Sequence, residues 1–357
     1  MNAPELRRTS RGTPAGDAAR GYLLARSMTA HAGRTYYLAS GLLPRADRRA
    51  MFALYGFART VDDVVDGPAD PAAKAAAVDL LEDGLRTALS CAPAAPVPPA
   101  ELVEAFGPST GTGVGPADPA YEPTRRTLTA DQLDLLAALA DTVRRYRIPT
   151  STFDDFLTSM RMDIEGSPRF RNRYRTFSEL AAYTRGSAAV IGVQMLPILG
   201  IPSGTASPVD GTPYEELERG AALLGDAFQL TNFLRDVADD LARDRIYLPL
   251  DVLEAFGVDE ANLRRDLLGG SPSPELRRAI AHLISVNRDQ YRCAAPAVAA
   301  LPRRTRPAIA AAATSYGDIL TEIERSGYDV VSRRAVVPRR RRIAHAAAAA
   351  VGLRALP

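Results

Sequence analysis

The chain has 357 residues, 46% hydrophobic and 24% charged, the composition of a soluble globular protein with one large domain or two ordinary ones. A net charge of +2, with no basic patch interleaved with aromatics outside the C-terminus, argues against a nucleic-acid partner. Cys91 and Cys293 match no metal or redox spacing, which makes a reducing cytoplasm the default, and no run of about 18 apolar residues offers a transmembrane span.

Residues 1–20 lack a continuous apolar segment and read as a disordered leader rather than a signal peptide. From Gly21 the pattern is a helix ending near Thr29, a turn around Gly33 and a short apolar segment closed by Pro44. Arg34 to Tyr37 open that segment, where backbone N–H groups can hold an anion; a capped helix with a packed Tyr36 fits the same residues. Arg45 to Asp66 is a strongly amphipathic helix. Its Tyr55, Arg59, Asp62 and Asp66 recur at three- and four-residue intervals and share a face with Met51. Alone, the DDVVD ending reads as a solvated helix end. Pro71 to Ser90 is helical, and the Pro/Gly-rich interval 90–123, with one short helical stretch near Glu101 to Phe106, is a surface excursion within a domain.

Helical periodicity resumes over Asp131 to Tyr146, Thr152 to Asp163 and Phe177 to Leu199. The last carries Gly186, Ser187, Ala188, Ala189 and Gly192, small residues that permit close packing or leave room for a ligand. The basic run Ser167 to Arg175 reads as a solvated loop. Gly225 to Leu250 carries the strongest signal: at helical spacing Gln229, Asn232, Asp236, Asp240 and Arg243 form one polar stripe. Leu223, Leu224, Phe228, Leu230, Phe233, Leu234, Val237 and Leu241 flank it and bury most of the helix. Such a stripe must face something polar, since an unpaired buried carboxylate costs on the order of several kcal/mol. Helices near Pro274 to Tyr291 and Thr305 to Ser326 follow, then an arginine cluster and an alanine-rich tail over 343–357. Nothing alternates with period two for long, so the chain reads as all-α.

Two stripes, each with Asp at i and i+4 beside an arginine, point to one shared site. Four converging carboxylates repel unless divalent cations relieve them, and oxygen-only ligands select hard ions such as Mg²⁺, which shares phosphate oxygens with a substrate. Mn²⁺ is the alternative ion. Arg34, Arg59 and Arg235 would grip a diphosphate, and the apolar flanks imply a hydrophobic remainder.

DDVVD at Asp62 to Asp66 with NFLRDVADD at Asn232 to Asp240 resembles the paired aspartate-rich motifs of the squalene/phytoene synthase family, the trans head-to-head prenyl synthases. The likeness runs from about Arg26 to Arg342 and includes RTYYLASGLLP, FALYGFARTVDD, RMDIE, GDAFQLTNFLRD, DRIYLP and SYGDILTEIERSGYDVVSRRAVV. The C-terminal text and GSAAVIGVQMLPILG look most like the bacterial phytoene synthases of high-GC organisms. The resemblance implies a single helical isoprenoid synthase domain over 21–342 with a central cavity. It also implies condensation of two geranylgeranyl diphosphate molecules through a cyclopropyl diphosphate to phytoene, the first committed carotenoid step, with no NADPH. Asp62, Asp66, Asn232, Asp236 and Asp240 would hold the metal, with Tyr247 also catalytic. Arg34, Thr35, Tyr36, Tyr55, Arg59, Tyr183, Gln229, Arg235 and Tyr316 would contact substrate.

The chain departs from the family at two places. Gly33-Arg34-Thr35 replaces Ser-Lys-Ser, losing one hydroxyl while keeping the charge, and Arg185 and Ser187 replace an aromatic and a valine. Two alternatives stand beside phytoene synthase: a squalene, dehydrosqualene or hydroxysqualene synthase using farnesyl diphosphate, and an inactive helical assembly factor, which intact aspartates disfavour. No required protein partner is evident. Arg339 to Arg342 beside IAHAAAAAVGLRAL suggest a peripheral contact with the inner face of the cell membrane, against the plainer reading of a solvated tail.

Overall fold

A computed structural model describes residues 17–91, 127–204 and 211–352. It holds fifteen α-helices among these residues, and no strand; the single parallel bridge joins Arg173 to Ile246. The first four are α1 (Ala18–Ala32), α2 (Arg34–Ser40), α3 (Arg45–Asp66) and α4 (Pro71–Ser90). Next come α5 (Ala130–Tyr146), α6 (Ser151–Met160), α7 (Phe177–Thr184) and α8 (Val190–Ile198). The C-terminal half adds α9 (Tyr214–Arg235), α10 (Val237–Ala242), α11 (Leu250–Ala255), α12 (Glu260–Gly269), α13 (Pro274–Ala300), α14 (Arg306–Arg325) and α15 (Arg339–Ala350).

Local chemistry sets many of the boundaries. Asp17 caps α1, so the helix takes in the last three residues of the expected leader, 18–20. Asp70 and a proline in the first turn start α4, and a Thr129/Gln132 capping box starts α5. The Glu101 to Phe106 stretch lies outside the described residues.

Two large apolar clusters form most of the core, with three smaller ones beside them among the described residues. One gathers α3 to α6 around Phe57, Val61, Leu81, Leu139, Phe153 and Phe156. The larger one packs α9 against α13 and α14 through Leu217, Leu234, Leu283, Ile284, Leu320 and Ile323. A polar tie crosses the α9–α13 contact: Asn287 Nδ2 donates to the Ala227 carbonyl at 2.9 Å, and the Thr231 hydroxyl donates to Asn287 Oδ1 at 2.7 Å. Each buried leucine or phenylalanine contributes about 1.5–3 kcal/mol, so these two seams supply most of the bundle's cohesion.

Four expectations are corrected. The stretch from Gly225 is not one continuous helix, because Asp236 adopts φ −105° and ψ 15° and breaks α9 from α10. Phe177 to Leu199 is also divided, by a π-helical turn over Arg185–Ala189. There Gly225 and Gly192 set two helices backbone to backbone: a Cβ on Gly225 would lie 2.5 Å from the Ala188 carbonyl oxygen, and one on Gly192 2.1 Å from that of Ala221. The basic run at 167–175 is not simply solvated; Tyr174 is fully buried, and Arg173 pairs with Asp244 at 2.8 Å and Glu260 at 2.7 Å. The C-terminal helix is docked, burying His345 and Ala349 and packing Ala349 with Ala39 of α2 and Ala311 and Ala312 of α14.

Candidate active site

The first stripe runs unbroken along α3. Asp62 is half-buried, and that burial together with the neighbouring Asp66 pushes its carboxyl up to about 7, against the pull of Arg59. It has no ion-pair or hydrogen-bond partner among the described residues. Arg59 turns instead to Asp63, at 2.6 Å. Asp66, one turn on, is exposed and meets Arg245 at 2.8 Å and Arg243 at 3.2 Å.

The second stripe is bent at Asp236. Burial alone would raise this carboxyl, but Arg235 at 2.5 Å and Arg334 at 2.7 Å outweigh it and leave the pKa below its ordinary value. Asp240 is the opposite case. Burial and Asp236 push it up to about 7 over the opposing charges of Arg245 and Arg243, and no side-chain partner satisfies it among the described residues. Between the two aspartates and the body of α9, Asn232 Nδ2 donates to Gln229 Oε1 at 3.3 Å, while Asn232 Oδ1 is buried with no partner.

Asp163 and Arg245 join the stripes. Arg245 follows α10, reaches Asp66 across the molecule, and donates to the Asp163 backbone carbonyl at 3.3 Å. Asp163 is buried, accepting hydrogen bonds from Tyr183 at 2.6 Å and Tyr247 at 3.0 Å. Its burial raises the carboxyl's pKa despite Arg245 and both tyrosines. Behind it Tyr174, Tyr183, Phe233 and Tyr247 form a stack, with Phe233 and Tyr247 centroids 4.3 Å apart. A second aromatic group, Tyr36, Tyr55, Phe228 and Tyr316, joins α2, α3, α9 and α14; its Tyr36–Tyr316 centroids are 5.1 Å apart. Burial lifts Tyr55 to about 12 and raises Tyr36 and Tyr316 as well, so the three tyrosines remain neutral phenols near pH 7 and, with Phe228, can offer ring faces to a cation.

The four aspartates, Asn232, Gln229 and Arg235 thus belong to one arginine-laced region, and Tyr36, Tyr55 and Tyr316 gather beside α9. Tyr183 and Tyr247 belong to the Asp163 side. Arg34 is exposed at the start of α2, where its charge neighbour is Arg342, and the Thr35 hydroxyl makes no hydrogen bond among the described residues. Three unassigned residues enter the site: Asp163, Arg245 and Arg334. Their motifs, RMDIE, DRIYLP and SRRAVV, are visible in the sequence but lie outside both helical stripes.

No group of three or more His, Cys, Asp or Glu side chains is drawn close enough to hold a metal among the described residues. The donor chemistry nevertheless fits a hard divalent ion: Asp62, Asp240 and the buried Asn232 Oδ1 are oxygen donors without partners. Asp66 and Asp236 are engaged by arginines in this arrangement.

A family model described as squalene/phytoene synthase matches residues 29–341. A phytoene synthase of Arthrospira platensis is 33% identical over 323 residues, 89% of this chain and 88% of the relative. A 15-cis-phytoene synthase of Synechococcus elongatus is 31% identical over 319 residues, again 89% of this chain and 88% of the relative. A crystal structure of a dehydrosqualene synthase in complex with ligand superposes with a TM-score of 0.66, covering 94% of this chain and 97% of the other. At 22% identity that is a likeness of fold.

Proposed function

We propose, for a chain that belongs to the squalene/phytoene synthase family, the activity of a phytoene synthase: head-to-head condensation of two geranylgeranyl diphosphates to phytoene. The observation that carries it is the pair of unpartnered carboxyls, Asp62 and Asp240, one on each stripe, with Arg243 and Arg245 running from Asp66, the neighbour of the first, to the second. In this reading Asp62, Asp66, Asp236, Asp240 and Asn232 would hold Mg²⁺, which would supply positive charge to the diphosphate leaving group. Arg235, Arg245 and Arg334 exchange carboxylate oxygens for diphosphate oxygens, orienting the leaving group and stabilising its charge. Tyr36, Tyr55, Tyr316 and Phe228 line the path of the prenyl chain, exclude water and turn ring faces toward the allylic cation. Tyr183 and Tyr247 hold Asp163 in place, and Asp163 steadies Arg245 between the stripes.

No reductant enters this scheme, because the final step loses a proton. We assign the enzyme to the cytoplasm or the membrane's inner surface, where a prenyl substrate partitions; no helix among the described residues is long and apolar enough to cross a membrane. The test is incubation of pure protein with geranylgeranyl diphosphate or farnesyl diphosphate and Mg²⁺, without nicotinamide. A C40 hydrocarbon from the first substrate is expected. A C30 product from the second, with no C40 hydrocarbon, would overturn the reading.

A further inference from the structure

We propose that Asp226 is the proton acceptor for the step that closes the reaction, an assignment that rests on the function proposed above. In that step a C–H bond of the last carbocation breaks and its electron pair becomes the new carbon–carbon double bond. The proton forms an O–H bond on Asp226 and later passes to solvent.

Position is the first argument. Asp226 lies on α9 three residues before Gln229, so it continues the polar stripe by about 4.5 Å of helix rise away from the diphosphate end. It is the stripe's one carboxyl on the hydrocarbon side of Gln229. Its neighbours along the helix are apolar: Leu224, Ala227 and Leu230 are all buried.

Satisfaction is the second. Asp226 Oδ1 is buried with no hydrogen-bond partner, and the Thr184 hydroxyl is the one polar group that favours its charged form. Other buried carboxyls have structural duties. Asp134 takes Arg20 and the Asp17 backbone, Asp163 takes two tyrosines and Asp266 takes Ser273, while Asp47, whose Oδ2 is likewise unpartnered, takes Tyr146 at the far end of α3, away from the stripe. Thr184 engages only one oxygen of Asp226, and a carboxylate oxygen left buried and unpaired costs stability, the usual mark of a group kept for its chemistry. Burial also makes Asp226 a stronger proton acceptor than an exposed carboxylate.

Rigidity is the third. The backbone contact of Gly225 with Ala188 and Ala189 pins this turn of α9 against the π-helical turn, fixing where Asp226 can point. Such turns recur at functional sites, and this one carries a buried, unpartnered hydroxyl of its own, Ser187 Oγ.

The test uses the full-length Asp226→Asn and Asp226→Leu variants with geranylgeranyl diphosphate and Mg²⁺. Diphosphate release should stay within about threefold of wild type while hydrocarbon formation falls about 100-fold, the scale of a lost general base, with alcohols from water capture replacing it. Far-ultraviolet circular dichroism should be unchanged in both variants, and Asp226→Asn, which keeps an oxygen for the Thr184 hydroxyl, should melt within about 3 °C of wild type. Wild-type hydrocarbon at wild-type rate from either variant overturns the assignment, as does a fall in stability that takes diphosphate release down with it. If the wild-type enzyme itself makes no C40 hydrocarbon, the functional reading has failed instead; the same variants then judge Asp226 on whichever hydrocarbon the enzyme makes.

Discussion

The two aspartate stripes share a spacing but not a geometry. On α3 the first aspartate, Asp62, stands unpartnered and the second, Asp66, is held by arginines; past α9 the order reverses, with Asp236 held and Asp240 unpartnered. Each side therefore contributes one poised carboxyl near pKa 7 and one pinned by cations. Only the second side is bent. A straight helix would carry Asp236 onward in register, whereas the break at Asp236 lets its carboxylate meet both Arg235 and Arg334. Identical spacing in sequence specifies which residues share a face, and the local backbone decides which of them is left for a ligand.

Breaking the comparison should have graded consequences. Asp62→Asn and Asp240→Asn are each expected to lower turnover by about 10²–10³-fold, the loss typical of one contact on developing charge, with unchanged far-ultraviolet circular dichroism. Arg245→Ala, which unties Asp66 from Asp163, should cost about 10–100-fold in steady-state assays, like other supporting partners of a site. Metal-free stability should depend on pH in a defined direction. Both poised carboxyls have folded pKa values of about 7, above the ordinary 3.8, so the folded state holds extra protons between about pH 4 and 7. Stability is then greatest below that window and declines as pH rises through it, by about 1 kcal/mol per carboxyl after solvent screening. The Asp62→Asn/Asp240→Asn double variant should flatten this decline in melting temperature between pH 5 and 7.5; an unchanged slope would refute the cause. Smallest of all, Arg173→Ala, which loosens Asp244 beside Arg245, should cost about 0.5–1 kcal/mol in urea unfolding and only a few-fold in turnover.

Much of this was legible in the sequence because helical burial repeats every 3.6 residues. Arg45–Asp66 was readable to the residue at both ends, and both stripes were visible from their spacing. The break at Asp236 and the π-helical turn at Arg185–Ala189 were not, since packing sets them: the Gly225 backbone lies against Ala188 and Ala189, a contact between distant segments. Leu250–Ala255 and Glu260–Gly269 escaped notice as helices too short for a clear period. Asp163, Arg245 and Arg334 sit on a 3₁₀ turn and on loops, where periodicity says nothing about direction. Their part in the site follows only from what they touch. The alanine-rich C-terminus offered little apolar area on paper, yet Arg341 and His345 anchor it to Asp318 at 2.7 Å and 2.5 Å.

The central claim is that the stripes form one clamp rather than two independent sites. Calorimetric binding of inorganic diphosphate in the presence of Mg²⁺ to wild type, Asp62→Asn, Asp240→Asn and the double variant tests it most directly. A single clamp predicts that either substitution removes most of the affinity and that the double variant binds little worse than either alone. Fully additive losses, or one substitution without effect, would contradict it.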